Sequence, residues 1–377
     1  MITLQIDTAR SWRGGQNQVL LTARGLRALG HRVVVMAHPE GELRRRLEGD
    51  FDVLALAPRG EVDLKAAWRL AGALRTLQPD IVHAHDPHGV AVAAAALPIS
   101  GLARRPPLVA ARRVDFHLKA NSFSRWKYRQ VDAFLASSDA IRAMLLEDGV
   151  PAERVATVHE GADLDRLAAI EPLDLHAEYW FPPGAPIVGN VAALVPHKGQ
   201  KHLLDAAAIV VRDVPHARFV VLGEGELRQE LEGRIRHLKL DQHVLLDGFR
   251  ADVLARLKAF DLFVMSSVTE GLGTSLLDAM GAARPIVATR AGGIPEVVED
   301  GVTGLLVPPG DARALASAIL ALLGDEGRRR RMGEAGLERA RRHFSVERMV
   351  AETVAAYDRL LAGSTPGAGT PDPRPAG

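Results

Sequence analysis

Ser266-Ser-Val-Thr-Glu-Gly-Leu-Gly-Thr-Ser-Leu-Leu-Asp-Ala-Met280 follows the apolar run Leu262–Met265, and its reading decides how the rest of the chain is understood. A short buried strand enters a loop holding Glu270, Gly271, Leu272 and Gly273, and a helix starts near Thr274 with Asp278 inside it. Small residues at such a junction let a ligand approach unpaired backbone N–H groups at the positive end of a helix. That is an anion site suited to a diphosphate. The carboxylates Glu270 and Asp278 flank it and can accept hydrogen bonds from sugar and ribose hydroxyls. Asp278 also reads as a capping partner three residues after Ser275, and Glu270 as an exposed loop acid.

The same strand–loop–helix unit recurs in both directions. Upstream, apolar runs at Ile2–Ile6, Val33–Met36, Val53–Leu56, Ile81–His83, Leu108–Ala111, Phe134–Ala136 and Val155–Val158 alternate with helical patterns such as Gln18–Leu29 and Lys65–Leu77. A second series runs through Ile187–Val191, Phe219–Leu222, Val244–Leu246, Leu262–Met265, Ile286–Ala288 and Leu305–Val307. Strand–helix alternation builds a parallel sheet covered on both faces, so two doubly wound Rossmann-like α/β domains are predicted. The first spans 1–170, the second 185–344, and the proline- and glycine-bearing run 171–184 is the expected hinge. Residues 345–361 form a last amphipathic helix, and 362–377, rich in Pro, Gly, Ser and Thr, a disordered tail. In open α/β sheets, ligands bind beyond the carboxyl ends of the strands, which places the site in the cleft between the domains.

Composition narrows the classes. A chain of 377 residues exceeds what one hydrophobic core usually serves. It has no cysteine, which excludes disulfides, thiolate metal sites and thiol nucleophiles. The start reads as a strand, with no secretion signal, and Val90–Leu97 falls well short of the about 20 apolar residues that span a bilayer. A cytoplasmic protein, peripheral at the inner face of the membrane, is expected. Net charge is +1, which suggests no nucleic-acid partner. Locally, residues 101–131 carry Arg104, Arg105, Arg112, Arg113, Lys119, Arg125, Lys127 and Arg129 against Asp115 alone. With Phe123, Trp126 and Tyr128 interleaved, this window reads either as a solvated basic face or as a surface for an anionic acceptor or anionic membrane.

Further motifs complete the pattern. Arg290-Ala-Gly-Gly-Ile-Pro-Glu296 follows a strand, where Gly292, Gly293 and Glu296 read as turn and cap chemistry or as ligand contacts. Gly189-Asn-Val-Ala-Ala-Leu-Val-Pro-His-Lys-Gly199 leads from strand to helix, and Arg13-Gly14-Gly15-Gln16 does the same in the first half. Gly223-Glu-Gly225 lacks a third glycine, so no dinucleotide is inferred. His83, His85 and His88 look like a metal cluster but are read as cleft lining.

Together these motifs closely resemble the retaining GT-B glycosyltransferases of family 4, group 1, which include lipopolysaccharide core and mannosyl transferases. The family hallmark is two glutamates separated by seven residues, matched by Glu270 and, with a shorter acid, Asp278. The family's lysine matches Lys198, whereas Ala193 stands where relatives carry an arginine. The resemblance implies a GT-B fold with a C-terminal helix returning to the first domain, and retaining transfer of a sugar from a nucleotide diphosphate sugar, UDP-linked by default. Glycan or lipid-linked acceptors of cell-envelope or lipopolysaccharide synthesis are implied, with no metal and no cofactor beyond that co-substrate. Donor binding falls to Gly14, Gly15, Lys198, Glu270, Gly271, Leu272, Gly273, Thr274 and Asp278, and catalysis to Glu270 and Lys198. Acceptor contacts are expected among His85, Arg113 and His117. A nucleotide-sugar epimerase of the same fold and a two-domain solute-binding protein are the alternatives.

Overall fold

The computed structural model describes residues 1–119 and 121–363. The predicted tail lies outside them except for Ala362 and Gly363, which extend the last helix, Val346–Gly363. The first sheet is built from β1 (Ile2–Asp7), β2 (Arg32–Ala37), β3 (Asp52–Ala55), β4 (Ile81–Ala84), β5 (Leu108–Arg112), β6 (Ala133–Ala136) and β7 (Val155–Thr157). The second contains β8 (Ile187–Val191), β9 (Arg218–Leu222), β10 (Val244–Gly248), β11 (Leu262–Met265), β12 (Ile286–Thr289) and β13 (Gly304–Val307). Their orders are β3-β2-β1-β4-β5-β6-β7 and β10-β9-β8-β11-β12-β13. The strand pairings are parallel in both, so the two doubly wound domains expected from the strand–helix alternation are present. Order reverses beside β1 and beside β8, and the loops after β1, β4, β8 and β11 are therefore the ones that flank a ligand.

Alternate residues of each strand feed opposite faces. Leu4, Ile6, Val34 and Met36 join one core of the first domain, while Val33, Val35 and Ala37 join the other. Val188, Phe219 and Val221 face one side of the second sheet, and Ile187, Val220 and Leu222 the other. Helix starts are set locally: Asp86, ahead of Pro87, accepts the backbone N–H of His88 and of Gly89, both at 2.9 Å.

The last helix returns to the first domain. Met349, Val350, Ala356 and Tyr357 share a core with Val19, Leu20, Ala23 and Leu26 of the helix Gly14–Ala28. The helices cross so closely that a Cβ on Gly25 would stand 2.3 Å from Val350 Cγ2. The chain passes between domains along two adjacent segments. Ala162 N donates to Phe344 O at 2.8 Å, and Val346 N donates to Ala162 O at 3.2 Å.

The crossing lies upstream of the 171–184 run expected as the hinge. Leu167 and Leu175 sit in the second-domain core, Lys258 Nζ donates to Leu167 O at 3.0 Å, and Leu173 N donates to Ala255 O at 3.2 Å. Prolines and glycines mark turns within a domain as readily as between domains. The helices Leu164–Ala169 and Leu175–Tyr179 are too short to show a period. Among the described residues no helix is long and apolar enough to cross a membrane.

Candidate active site

The loops after β8 and β11 are bound to each other before any ligand is considered. Val268 N donates to His197 O at 2.7 Å, and Ser266 Oγ to Lys198 O at 3.0 Å. Gly199 adopts φ 65°, and a Cβ there would lie 2.2 Å from Ser266 O, so only glycine fits that crossing. The turn Pro196–Lys198 thereby carries Lys198 Nζ to 2.5 Å from Glu270 Oε2, which also accepts from Ser267 Oγ at 3.0 Å. Lys198 and Glu270 are only 18% and 9% exposed at the side chain, so the pair is shielded and strong. Among the described residues both side-chain bonds to this carboxylate end on Oε2, and none ends on Oε1.

Glu270 is held from behind as well. Its carbonyl accepts from Gly293 N at 3.1 Å, and a Cβ on Gly292 would stand 1.8 Å from that oxygen. The double glycine after β12 is thus a close-approach device supporting the Glu270 loop. Downstream, the helix Thr274–Gly281 starts from Gly273 at φ 90° with no side-chain cap. Ser275 Oγ donates instead to Val191 O at 2.9 Å, so the Ser275–Asp278 capping reading is not realised. Burial raises Asp278 to about 7.

The first domain meets this helix start directly. Gly14 opens the helix Gly14–Ala28, and a Cβ there would lie 2.3 Å from Thr274 Oγ1, whereas Gly15 has open space around it. Two helix starts therefore meet across the cleft, one in each domain. The glycine loop is braced by Gln16, which accepts Arg13 N at 3.1 Å and donates to Asp7 Oδ2 at 3.0 Å. Burial, then the charge of Asp86, pushes Asp7 up to about 6.

Of the three expected acceptor residues, the structure brings two together. Arg113 Nη1 lies 2.9 Å from His85 Nδ1, and Arg113 Nε lies 3.0 Å from Glu160 Oε1. A Cβ on Gly271 would stand 2.2 Å from Arg113 O, so this cluster abuts the Glu270–Gly273 loop. His117 does not join it. That ring, 64% exposed, bonds Asp148 Oδ1 at 2.7 Å. His83 and His85 are buried and stacked at 4.1 Å, and burial holds both well below the usual histidine range, whereas His88 is exposed.

Sequence reasoning does not single out Glu160. It is buried just beyond β7, and burial raises its pKa against the pull of Arg113, with Glu270 raising it further. Its one signal is an acid in a loop directly after a first-domain strand. Glu296 also has an unforeseen role. Its carboxylate crosses the cleft to accept Asp139 N at 2.8 Å and Ala140 N at 2.9 Å, at the start of the helix Asp139–Glu147, and it meets His159 Nε2 at 2.9 Å. Cap chemistry is realised, but for a helix of the other domain.

The basic window is partly internal. Lys127 is buried 3.3 Å from Glu61, and Arg112 is buried with its guanidinium on Phe116 O. Arg105 pairs with Asp132 at 2.7 Å. Trp126 and Phe116 remain exposed, and Phe116 packs edge-on against His197 across the cleft at 5.9 Å.

A model of the glycosyl transferases group 1 matches residues 174–339, and one of glycosyltransferase family 4 matches residues 12–166. EpsD of Bacillus subtilis (strain 168), a protein named as a glycosyltransferase, is 30% identical over 321 residues, 81% of this chain and 83% of that one. The lipopolysaccharide core biosynthesis glycosyltransferase LpsE of Rhizobium meliloti (strain 1021) is 30% identical over 235 residues, 62% of this chain and 65% of its own. The crystal structure of Anabaena Alr3699/HepE in complex with UDP and glucose superposes with a TM-score of 0.82 at 23% identity, covering 94% of this chain and 99% of that one.

Proposed function

We propose a reaction from one premise: this chain belongs to the family 4, group 1 glycosyltransferases and is a glycosyltransferase of the GT-B fold. It moves a sugar from a nucleoside diphosphate sugar, UDP-linked, onto a hydroxyl of a glycan or lipid-linked acceptor, with retention at the anomeric carbon. The observation that carries this reading is the approach of Gly14 to Thr274, which brings together two helix starts, one of them in the loop-to-helix run that holds Glu270 and its partner Lys198.

The diphosphate is bound between the glycine loop, with Gly14 and Gly15, and the amides from Gly271 through Leu272 and Gly273 to Thr274. Glu270 Oε1 accepts a donor-sugar hydroxyl, and Asp278 the ribose. As the bond from the anomeric carbon to the diphosphate oxygen breaks, charge grows on the leaving group. Lys198 and those amides stabilise it, an electrostatic effect that is large in a shielded site. The acceptor hydroxyl approaches on the same face, beside His85 and Arg113; its oxygen bonds the anomeric carbon as its proton passes to the departing diphosphate oxygen. With an ammonium and two helix starts available to the phosphates, transfer is expected to survive treatment with EDTA.

UDP in the Anabaena structure supports uridine, and the lipopolysaccharide role of LpsE supports a cell-envelope glycan as product. UDP is expected to raise the melting temperature more than GDP or ADP, since a ligand confined to the native state stabilises it. Free UDP should appear only when an acceptor is supplied. Acceptor-independent release would instead mark an epimerase, and no release a binding protein.

Acceptor delivery at the inner face of the membrane belongs to the same proposal. Exposed Trp68 and Trp126 with Lys119 offer aromatic and cationic contacts to anionic headgroups, although Arg112 and Lys127 are withdrawn inside. Failure of anionic liposomes to retain the protein at low salt would remove this part.

A further inference from the structure

A chain of buried polar groups joins the returning helix to the cleft, and the proposed reaction gives no role to its members Gln5, His83 and Tyr357. Its hydrogen-bond directions are fixed from one end. A guanidinium only donates, so Arg113 Nη1 donates to His85 Nδ1 at 2.9 Å, and the proton of the neutral ring sits on Nε2. Nε2–H then donates to Gln5 Oε1 at 2.8 Å. That orients the Gln5 amide, whose Nε2 donates to the Tyr357 hydroxyl at 3.3 Å. The hydroxyl passes its own hydrogen to His83 Nδ1 at 2.6 Å. His83 is held neutral by burial, so its proton is on Nε2.

Among the described residues neither His83 Nε2 nor Ser137 Oγ has a hydrogen-bond partner, although both residues are buried. Both line a cavity of about 20 Å³, along with Thr22, Arg113, Glu160 and Thr353. A cavity of roughly 10–15 Å³ or more holds a water when polar groups surround it.

We infer that this cavity binds one ordered water, accepting from His83 Nε2–H and joining Ser137 to Glu160, and that Tyr357 is a positioning residue for the Arg113 guanidinium. Arg113 is then fixed on both sides, by the relay through His85 and by Glu160. Deleting the phenol oxygen strands Gln5 Nε2 without an acceptor and His83 Nδ1 without a donor. Both groups re-orient, and the guanidinium loses its set direction. The returning helix begins at Val346, beside the interdomain crossing, and carries Tyr357 about three turns further on.

The catalytic half of this inference rests on the placing of Arg113 beside the acceptor proposed above; the hydrogen-bond order does not. Histidine ring ¹⁵N spectra of the full-length protein should show His83 and His85 as Nε2–H tautomers across the neutral pH range. A cross-peak from long-lived water to the His83 ring proton is expected. Tyr357→Phe should lower kcat about tenfold and leave donor KM within about twofold, the split of an interaction made only in the transition state. Val354→Ala, on the same helix, should lower Tm without that split. An Nδ1–H His83, a missing water cross-peak, or an unchanged kcat in Tyr357→Phe overturns the inference. A wild-type protein with the expected spectra but no transfer sinks the functional reading alone.

Discussion

The two walls of the cleft are built in opposite ways. The second-domain wall draws Lys198, Glu270, Gly273, Asp278 and Gly292 from three loops and one helix, all at the ends of neighbouring strands β8, β11 and β12. The first-domain wall draws Gln5, His85, Arg113, Glu160 and Tyr357 from β1, three loops and the last helix. One is backbone geometry supporting an ion pair; the other is a side-chain network assembled from both ends of the chain. The phosphate binding proposed for the first of these needs amides and a cation at fixed offsets, which short motifs supply.

Four substitutions probe that contrast, from the largest expected effect to the smallest. Glu270→Ala should cut transfer by about 10²–10³-fold, on the scale of losing one electrostatic contact in a shielded site. Circular dichroism should stay native, and a smaller loss than that of Glu160→Gln would place the chemistry on the wrong wall. Next, Gly292→Ala forces a methyl toward Glu270 O at φ 50° and should destabilise the protein by about 2–3 kcal/mol. A denaturant midpoint equal to wild type would show that the loop has room and is not a rigid support.

Glu296→Ala removes an acceptor from two backbone N–H groups and from His159, a loss of about 1–2 kcal/mol for a helix cap. Because the cap crosses the cleft, the ligand-free protein should open, giving a larger radius of gyration in X-ray scattering. An unchanged scattering curve would make the contact ornamental to closure. The smallest effect is a slope. Burial raises Asp278 from 3.8 to about 7, so over that interval the unfolded chain releases a proton the folded chain keeps, and stability falls as pH rises. Asp278→Asn removes this contribution: Tm should rise relative to wild type near about pH 8 and not near about pH 4. Asp7, raised to about 6, acts in the same direction but is common to both proteins.

The same contrast explains how much of the molecule is legible in its sequence. Strands such as Phe219–Leu222 declare themselves because burial on both faces demands uninterrupted apolar residues. Glu270 and Lys198 are visible because a strand, small residues and a helix start lie together along the chain. Glu160 and Tyr357 are not, since nothing near Glu160 in sequence announces Arg113, and a lone tyrosine on an amphipathic face looks like packing. His117 is close to Arg113 in sequence and so reads as its companion, yet the chain turns and delivers it to Asp148. Lys127 illustrates the converse: its charge counts toward a surface, but its partner Glu61 lies in a distant loop. The hinge is displaced because punctuation residues report where a helix stops, not which core claims the next segment.

The paired crossing segments make the second domain an insertion within the first. Ala162 and Val346 are hydrogen-bonded neighbours, so the chain leaves and re-enters the first domain at one point. A few glycines joining those two residues would excise the inserted lobe and restore the returning helix to its groove, yielding a free-standing first domain. Cutting after residue 170 instead would strip Tyr357 and its helix away and leave Val19, Leu20 and Leu26 facing water.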